Sequence, residues 1–270
     1  MSKQNTRQRL QQILGVFARY GLKKGITSPP QLRQALEELG PTFVKIAQIL
    51  STRPDILSAP YIEEFQKLQD DVKQVDFNII KEIVQVQLGG RLEVFFAQFS
   101  EEPIASASIA QVHGGRLLDG TDVVIKVKRP EIEEKIFNDL KLLKKAALLT
   151  RFIPRESVWD PIEVVDELWD ALELELNFLQ EADNIQRFRE HQKDVRFITI
   201  PQVWPQFSTR DILVMERIEG VKISEKKALV EAGYDLEEIC SKIIYNFMFQ
   251  VFETGIFHAD LHPGNVLISA

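Results

Sequence analysis

The sequence predicts an α+β fold: helices first, then a small antiparallel sheet interrupted by helices, then a helical region. Three observations carry this. Apolar residues recur at helical spacing near both ends, as Leu10, Ile13, Leu14 and Phe17, and as Ile239, Ile243, Ile244, Phe247, Val251 and Phe252. A β-branched run, Val123 to Val127, follows an Asp-Gly turn signal at Asp119-Gly120. The remaining strand patterns do not alternate regularly with helices, so a parallel βαβ sheet is not expected.

Taken in order, Thr6 to Tyr20 reads as an amphipathic helix whose polar face is not strongly basic, which favours packing over a membrane surface. Pro29-Pro30 breaks the chain, and a second helix is expected from Gln31 to Leu39, ended by Gly40. Pro41 opens a third, to about Thr52, at the position where a missing N–H costs nothing. It sets Phe43, Ile46, Ala47 and Leu50 on one side, and Lys45 with Gln48 on the other. Tyr61–Asp70 and Asp76–Leu88 are expected helices, the latter closed by Gly89-Gly90. Val94 to Phe99 reads as a short strand or the end of a helix, and Gln111–Leu117 with Val123–Val127 as a hairpin. Helices are expected over Glu131–Leu149 and continuously from Pro161 to about His191. Val203–Phe207 and Asp211–Met215 read as two more strands, and Leu236–Thr254 as a long helix capped by Gly255.

Apolar residues make up 44% of the 270, and charged residues 27%, as in ordinary globular chains. The formal charge of −7 argues against bulk nucleic-acid binding. A single cysteine, Cys240, allows neither an internal disulfide nor a cysteine-based zinc site. Met1 to Arg9 lacks the apolar core of a secretory signal. The most apolar segment, Ile243 to Phe257, is interrupted by Asn246, Gln250 and Glu253. A cytoplasmic location is expected, with peripheral membrane contact left open.

The chemistry-bearing motifs lie in four places. His258-Ala259-Asp260-Leu261-His262-Pro263-Gly264-Asn265 has the form of a protein-kinase catalytic loop, an Asp followed five residues later by an Asn. Alone, the segment also reads as a metal cluster of His258, Asp260 and His262, or as a plain turn. Val123-Val124-Ile125-Lys126 resembles the kinase third-strand signature. Lys126 and Lys128 share a strand face, so periodicity does not choose between them; the signature chooses Lys126. Ala105-Ser106-Ala107-Ser108 stands where a kinase has its glycine-rich phosphate loop, with alanines that stiffen the backbone and hydroxyls that can bond phosphate. The acidic Pro161–His191 helix carries Glu175 and Glu181, about 120° apart on an ideal helix, so the two are expected to have different partners. Asn177, Glu181 and Asn184 share a face of that helix.

Together these segments resemble the ABC1/UbiB family of atypical kinases over Leu36 to Asn265. The family's Lys-x-Gly-Gln motif matches Lys45-Ile46-Ala47-Gln48, its alanine-rich loop Ala105 to Gln111, its Glu-x-Asp motif Glu175-Leu176-Asn177, and its catalytic loop His258 to Asn265. Ala47 departs from the motif glycine and Asn177 from the aspartate. The resemblance implies a protein-kinase-like fold: an N-terminal helical extension (1–73), an N-lobe with inserted helices (74–215), and the start of a C-lobe (216–270). It implies ATP and Mg²⁺ as cofactors. Asp260 is expected as the base or orienting group, Lys126 and Glu181 as phosphate-positioning residues, and Asn265 as a metal ligand. Lys45, Gln48 and Glu175 are expected over the cleft, with Lys45 pointing toward Glu175, and Glu216 in the hinge segment Leu213 to Glu216, beside the adenine. The Asp-Phe-Gly metal segment does not occur before Ala270, so low turnover is expected of the isolated chain, with an exposed apolar face on the Leu236–Thr254 helix and a second chain supplying the rest. The implied setting is isoprenoid-quinone biosynthesis or lipid homeostasis, with a lipid or a quinone-pathway protein as partner. The alternatives are a non-catalytic nucleotide- or partner-binding module and, last, a metal-dependent hydrolase.

Overall fold

The computed structural model describes residues 3–21, 28–68, 72–149, 160–259 and 263–269. The helices and strands run in the order α1 (Lys3–Arg19), α2 (Pro29–Leu39), α3 (Pro41–Leu50), α4 (Ala59–Phe65), α5 (Phe77–Leu88), α6 (Leu92–Phe95), β1 (Phe96–Ser106), β2 (Ala110–Leu117), β3 (Asp122–Lys128), α7 (Ile132–Leu149), α8 (Pro161–Glu175), α9 (Phe178–Gln192), β4 (Ile212–Glu216), β5 (Val221–Lys222), α10 (Lys226–Glu231), α11 (Leu236–Phe249) and β6 (Leu267–Ile268). One four-stranded sheet has the order β1-β2-β3-β4, and β5 pairs with β6. The expected α+β class is what the chain adopts. It divides into two compact units: Met1–Val84 with Glu101–His113 and Lys126–Asn177, and Gln85–Ser100 with Gly114–Ile125 and Phe178–Ala270.

In the first unit, α2 starts at Pro29 itself. The two prolines form the first helical turn, where no intrahelical N–H is needed, and the Ser28 N–H donates to Gln31 Oε1 at 3.3 Å. Pro29-Pro30 therefore opens the helix instead of preceding it. Gly40 takes φ +94 between α2 and α3, a backbone that lets its N–H reach the Leu36 and Glu37 carbonyls before Pro41 begins the next helix. Ile13 and Val16 of α1, Leu36 and Leu39 of α2, Phe43 and Ala47 of α3, Phe65 of α4 and Leu142 of α7 form one apolar core. Asp139 of α7 is 1% exposed and receives both Nε and Nη2 of Arg9, each at 2.7 Å. That fork fixes α1 on α7. α7 packs on α8 through Phe137 and Trp169, whose ring centroids lie 5.0 Å apart.

The expected Pro161–His191 helix is two helices. α8 closes at Glu175, the Asn177 N–H turns back to Leu174 O, and α9 begins at Phe178. The reason is burial. Leu176 and Phe178 are both fully buried, yet residues two apart point to nearly opposite sides of a continuous helix. β1 is also longer than expected, taking in Ala105 and Ser106, and a helical turn, α6, precedes it.

In the second unit, α9 lies on β4. Val203–Phe207 is not a strand. Val203 makes an isolated antiparallel bridge to Met215, and Pro205–Phe207, whose proline lacks a ladder N–H, curls into a 3₁₀ turn. β5 and β6 are antiparallel, with Val221 opposite Ile268 and Lys222 opposite Leu267. α11 is followed by a wide π-type turn, Gln250–Thr254, and Gly255 in the left-handed region at φ +67 ends it. Burial along this helix is inverted. Asn246 and Gln250 are buried, while Ile244, Tyr245, Phe247, Met248, Val251 and Phe252 are exposed. Among the described residues no helix is long and apolar enough to cross a membrane.

Candidate functional site

Within the first unit, α3 presents Lys45 to α8. Its Nζ lies 3.0 Å from Glu175 Oε2, with the lysine side chain 19% exposed and the glutamate 46%. Helical spacing explains it: Phe43, Ile46 and Ala47 are buried, which turns Lys45 and Gln48 to the other side, where both are half-buried. Glu175 ends α8, two residues before Asn177, whose Oδ1 is buried without a hydrogen-bond partner. Downstream of α3, Arg53 makes a second tie to α8. It forks onto Asp55 at 2.7–3.1 Å and reaches Glu167. The Arg53 guanidinium holds the Asp55 carboxyl below its ordinary range.

The two strand lysines are distinguished by their surroundings. Val123, Ile125 and Val127 are buried on one face of β3. On the other face, Lys128 is 5% exposed and bonds Glu133 of α7 at 3.1 Å, whereas Lys126 is half-buried two residues earlier. A buried lysine needs such an anion, so Lys128 has a structural role.

The alanine-rich segment is not all loop: Ala105 and Ser106 end β1, and a tight turn follows before β2, closed by the Ala107 N–H on Ala110 O at 2.8 Å. Ala105 is exposed, Ser106 and Ala107 are half-buried, and Ser108 is buried. The Ser106 hydroxyl accepts from Arg129 Nη2 at 2.7 Å. Gln111, fully buried, pairs its amide with both backbone groups of Val75, and its Nε2 also donates to His113 Nε2 at 2.9 Å. An amide nitrogen only donates, so that ring nitrogen accepts and His113 is neutral.

In the second unit, Glu181 lies in the first turn of α9. Glu216 ends β4, where its carboxylate accepts from the Gln202 N–H at 3.0 Å and lies 3.7 Å from Arg189. Asp260 and His262 lie outside the described residues, and with them the expected base and two of the three metal-cluster residues. Asn265 is exposed at the end of a 3₁₀ turn, two residues before the β6 strand. Gln250 positions the start of that loop, its Oε1 accepting the His258 N–H at 3.0 Å. Among the described residues, no three of His, Cys, Asp and Glu gather as a metal site.

Sequence reasoning gave no role to Glu167, His113 or Arg129, and named Arg53 and Gln111 only as members of family-like motif segments. Arg129 carried a readable signal, because it stands between a strand and Pro130. Gln111 and His113 looked like ordinary strand residues until burial showed their polar groups inside.

The family model described as the ABC1 atypical kinase-like domain matches residues 67–270. The chain belongs to the ABC1 atypical kinase-like family. An uncharacterised protein in the hydrogenase 1 5′ region of Clostridium pasteurianum is 43% identical over 98% of the chain and 51% of its own length. A probable protein kinase UbiB of Photobacterium profundum is 39% identical over 88% of the chain and 44% of its own length. Among solved structures, the Rv3197–erythromycin complex of Mycobacterium tuberculosis matches with a TM-score of 0.62 at 29% identity, over 88% of the chain and 60% of that one. The chain thus spans about half the length of the curated ABC1 relatives it matches. The protein-kinase-like fold expected from the motifs is the fold of this ABC1 chain.

Proposed function

We propose that this chain carries the ATP-binding part of an ABC1-type kinase or ATPase, acting with Mg²⁺ in isoprenoid-quinone or membrane-lipid chemistry. The observation that supports this most is the cluster on α8: Lys45 on Glu175, next to the unpartnered Oδ1 of Asn177. Mg²⁺ takes hard oxygen ligands, few of them from protein and the rest from phosphate and water. A buried, unpartnered amide oxygen at Asn177 fits that demand without a carboxylate cluster. Bound Mg·ATP would supply the phosphoryl group and screen its charge.

The chain's own residues then have these parts. Lys126 and Glu181 orient phosphates. The Ala105–Ser108 segment meets them through its backbone more than through its hydroxyls, since Arg129 holds the Ser106 hydroxyl and Ser108 is buried. The hinge at Glu216 borders the adenine, Asp260 accepts or orients the nucleophile's proton, and Asn265 holds metal. Lys45 and Gln48 stand where a peptide substrate would otherwise enter. That favours ATP hydrolysis or a small lipid-related acceptor over protein phosphorylation.

A second reading, a non-catalytic module that binds nucleotide or a partner, is favoured by the exposed apolar face of α11. Titration with a fluorescent ATP analogue, with and without Mg²⁺, tests both. The wild-type chain is expected to bind, Lys126→Met to bind about tenfold more weakly, the cost of one charge-assisted contact, and Asn177→Asp to need less Mg²⁺. Phosphate release lost in Asp260→Asn supports turnover; release unchanged by Asp260→Asn leaves the non-catalytic reading. A wild-type chain that binds no nucleotide refutes the ATP assignment.

A further inference from the structure

Arg129 is the last charge of the β3 region and belongs to none of the roles above. Its guanidinium is half-buried and its donors go to oxygen atoms of two separate segments. Nε donates to Ala107 O at 2.7 Å and Nη2 to Ser106 Oγ at 2.7 Å, both in the alanine-rich turn. Nη1 donates to Lys73 O at 2.9 Å and Nη2 to Val72 O at 3.3 Å, in the stretch before α5. Its own N–H donates to Ile109 O at 2.9 Å. Beside it, the Gln111 amide makes a parallel link from β2 to Val75.

The local backbone is shaped for this. Pro130 follows directly, and Glu131 holds φ +59, a conformation that non-glycine residues seldom take, so that α7 starts at once and Arg129 faces back over the turn. Partial burial pushes the Arg129 pKa down by desolvation, which makes its carbonyl and hydroxyl acceptors the groups that hold the charge in place. A planar five-donor fork is needed to reach four acceptors at once, and lysine offers no such fork.

We infer that Arg129 is a positioning residue: its fork fixes the shape of the Ser106–Ile109 turn and locks that turn to the Val72–Val75 segment, so that the phosphate-facing backbone is set before nucleotide arrives. This deepens the ATP-binding reading and rests on it for its consequence, although the lock itself is independent of nucleotide. The alanines restrict the turn and Arg129 selects one conformation of it. A turn already in place binds without an ordering cost.

The experiment is amide hydrogen exchange on the nucleotide-free chain, for wild type, Arg129→Lys and Ser106→Ala, followed by titration with the fluorescent ATP analogue. Arg129→Lys is expected to speed exchange on the order of tenfold at residues 106–110 and at 72–75 together, because one charged donor group serves both. The α1–α3 helices should keep wild-type protection. Ser106→Ala, which removes one acceptor of Arg129 and a long 3.4 Å bond donated to Gln111 Oε1, is expected to speed the turn chiefly and by less. Nucleotide affinity should fall with the loosening of the turn, most in Arg129→Lys. Unchanged exchange at 106–110 in Arg129→Lys, or loosening of the turn with 72–75 unaffected, overturns the lock. Absence of nucleotide binding by wild type overturns the ATP reading instead, and the exchange pattern still decides the lock. If Arg129→Lys does not fold, Ser106→Ala decides: wild-type exchange at 106–110 in that variant overturns the proposal.

Discussion

Lys45 Nζ sits 3.0 Å from Glu175 Oε2, so the helix carrying the Lys-x-Gly-Gln-like motif is tied to the end of α8 through the first residue of the Glu-x-Asp-like motif. Because the glutamate is nearly half exposed, solvent screens the pair, and its coupling should be only about 0.5 kcal/mol. A double-mutant cycle with Lys45→Met and Glu175→Gln, read by denaturant unfolding, is expected to give that value. A coupling several times larger would mean that the pair is held in a drier setting than its exposure indicates.

The Arg53–Asp55 fork gives a pH prediction. The folded Asp55 pKa lies below its ordinary value. Such a group contributes stability that is present above the unfolded pKa and is lost as the pH falls through the depressed folded one. The Asp55 side-chain carboxyl followed by NMR should titrate below the usual aspartate midpoint, near 3.9. Arg53→Gln should move that midpoint up; the same midpoint in both proteins contradicts the assignment.

Gly220 offers a test of the β5–β6 sheet. A Cβ there would lie 2.7 Å from the Ile268 carbonyl oxygen, a backbone atom that cannot swing aside. Gly220→Ala should cost about 1–3 kcal/mol and separate β5 from β6. Because β6 begins two residues after Asn265, the variant should also weaken Mg²⁺-dependent nucleotide binding in the analogue titration. Wild-type thermal stability in Gly220→Ala would show that the two short strands are not held as described.

The outer face of α11 predicts self-association. Ile244 is 64% exposed and Phe252 72%, within an apolar group that also includes Tyr245, Met248 and Val251. A patch of that kind is uncommon on a lone soluble chain. Light scattering of the purified chain should show association, and Ile244→Lys with Phe252→Lys should reduce it without lowering the thermal midpoint. A wild-type chain that stays monomeric at high concentration removes the basis for a partner on this face.

Much of this was legible from residue spacing, because the deciding interactions are local. The β2–β3 hairpin follows from Asp119-Gly120 and its β-branched strand, and the end of the α11 segment from Gly255. An exposed apolar face on that helix was also expected, but along Ile243, Phe247 and Val251; Ile243 is half-buried, and the most exposed apolar residues there are Phe252 and Ile244. The helix break at Leu176-Asn177 was not legible, because only a fold that buries both Leu176 and Phe178 makes a continuous helix costly. Pro29-Pro30 was read as a boundary although proline serves equally as a first turn. The Lys45–Glu175 pair was expected through an angle measured along an unbroken helix; the helix is broken, so that angle does not apply, yet the pairing is there. The roles of Arg129 and Gln111 escaped notice because their acceptors are mainly backbone oxygens, which leave no mark in a sequence.

The wide turn at Gln250–Thr254 has a consequence for chain length. A π-type turn is an α-helix holding one residue more than its usual ladder accommodates. Asn246 and Gln250, one ordinary turn apart, face inward together, and the extra residue is taken up only after them. Deleting one residue from 251–254 would take out that extra residue and restore a regular helical ladder, so the direction of the chain beyond it would be largely kept; in a regular helix the same deletion would turn everything beyond by about 100°. The His258 N–H would then stay near the Gln250 acceptor. Chain length can change at this turn, whereas Gly255, in the left-handed region, is the position where an added side chain would strain the backbone.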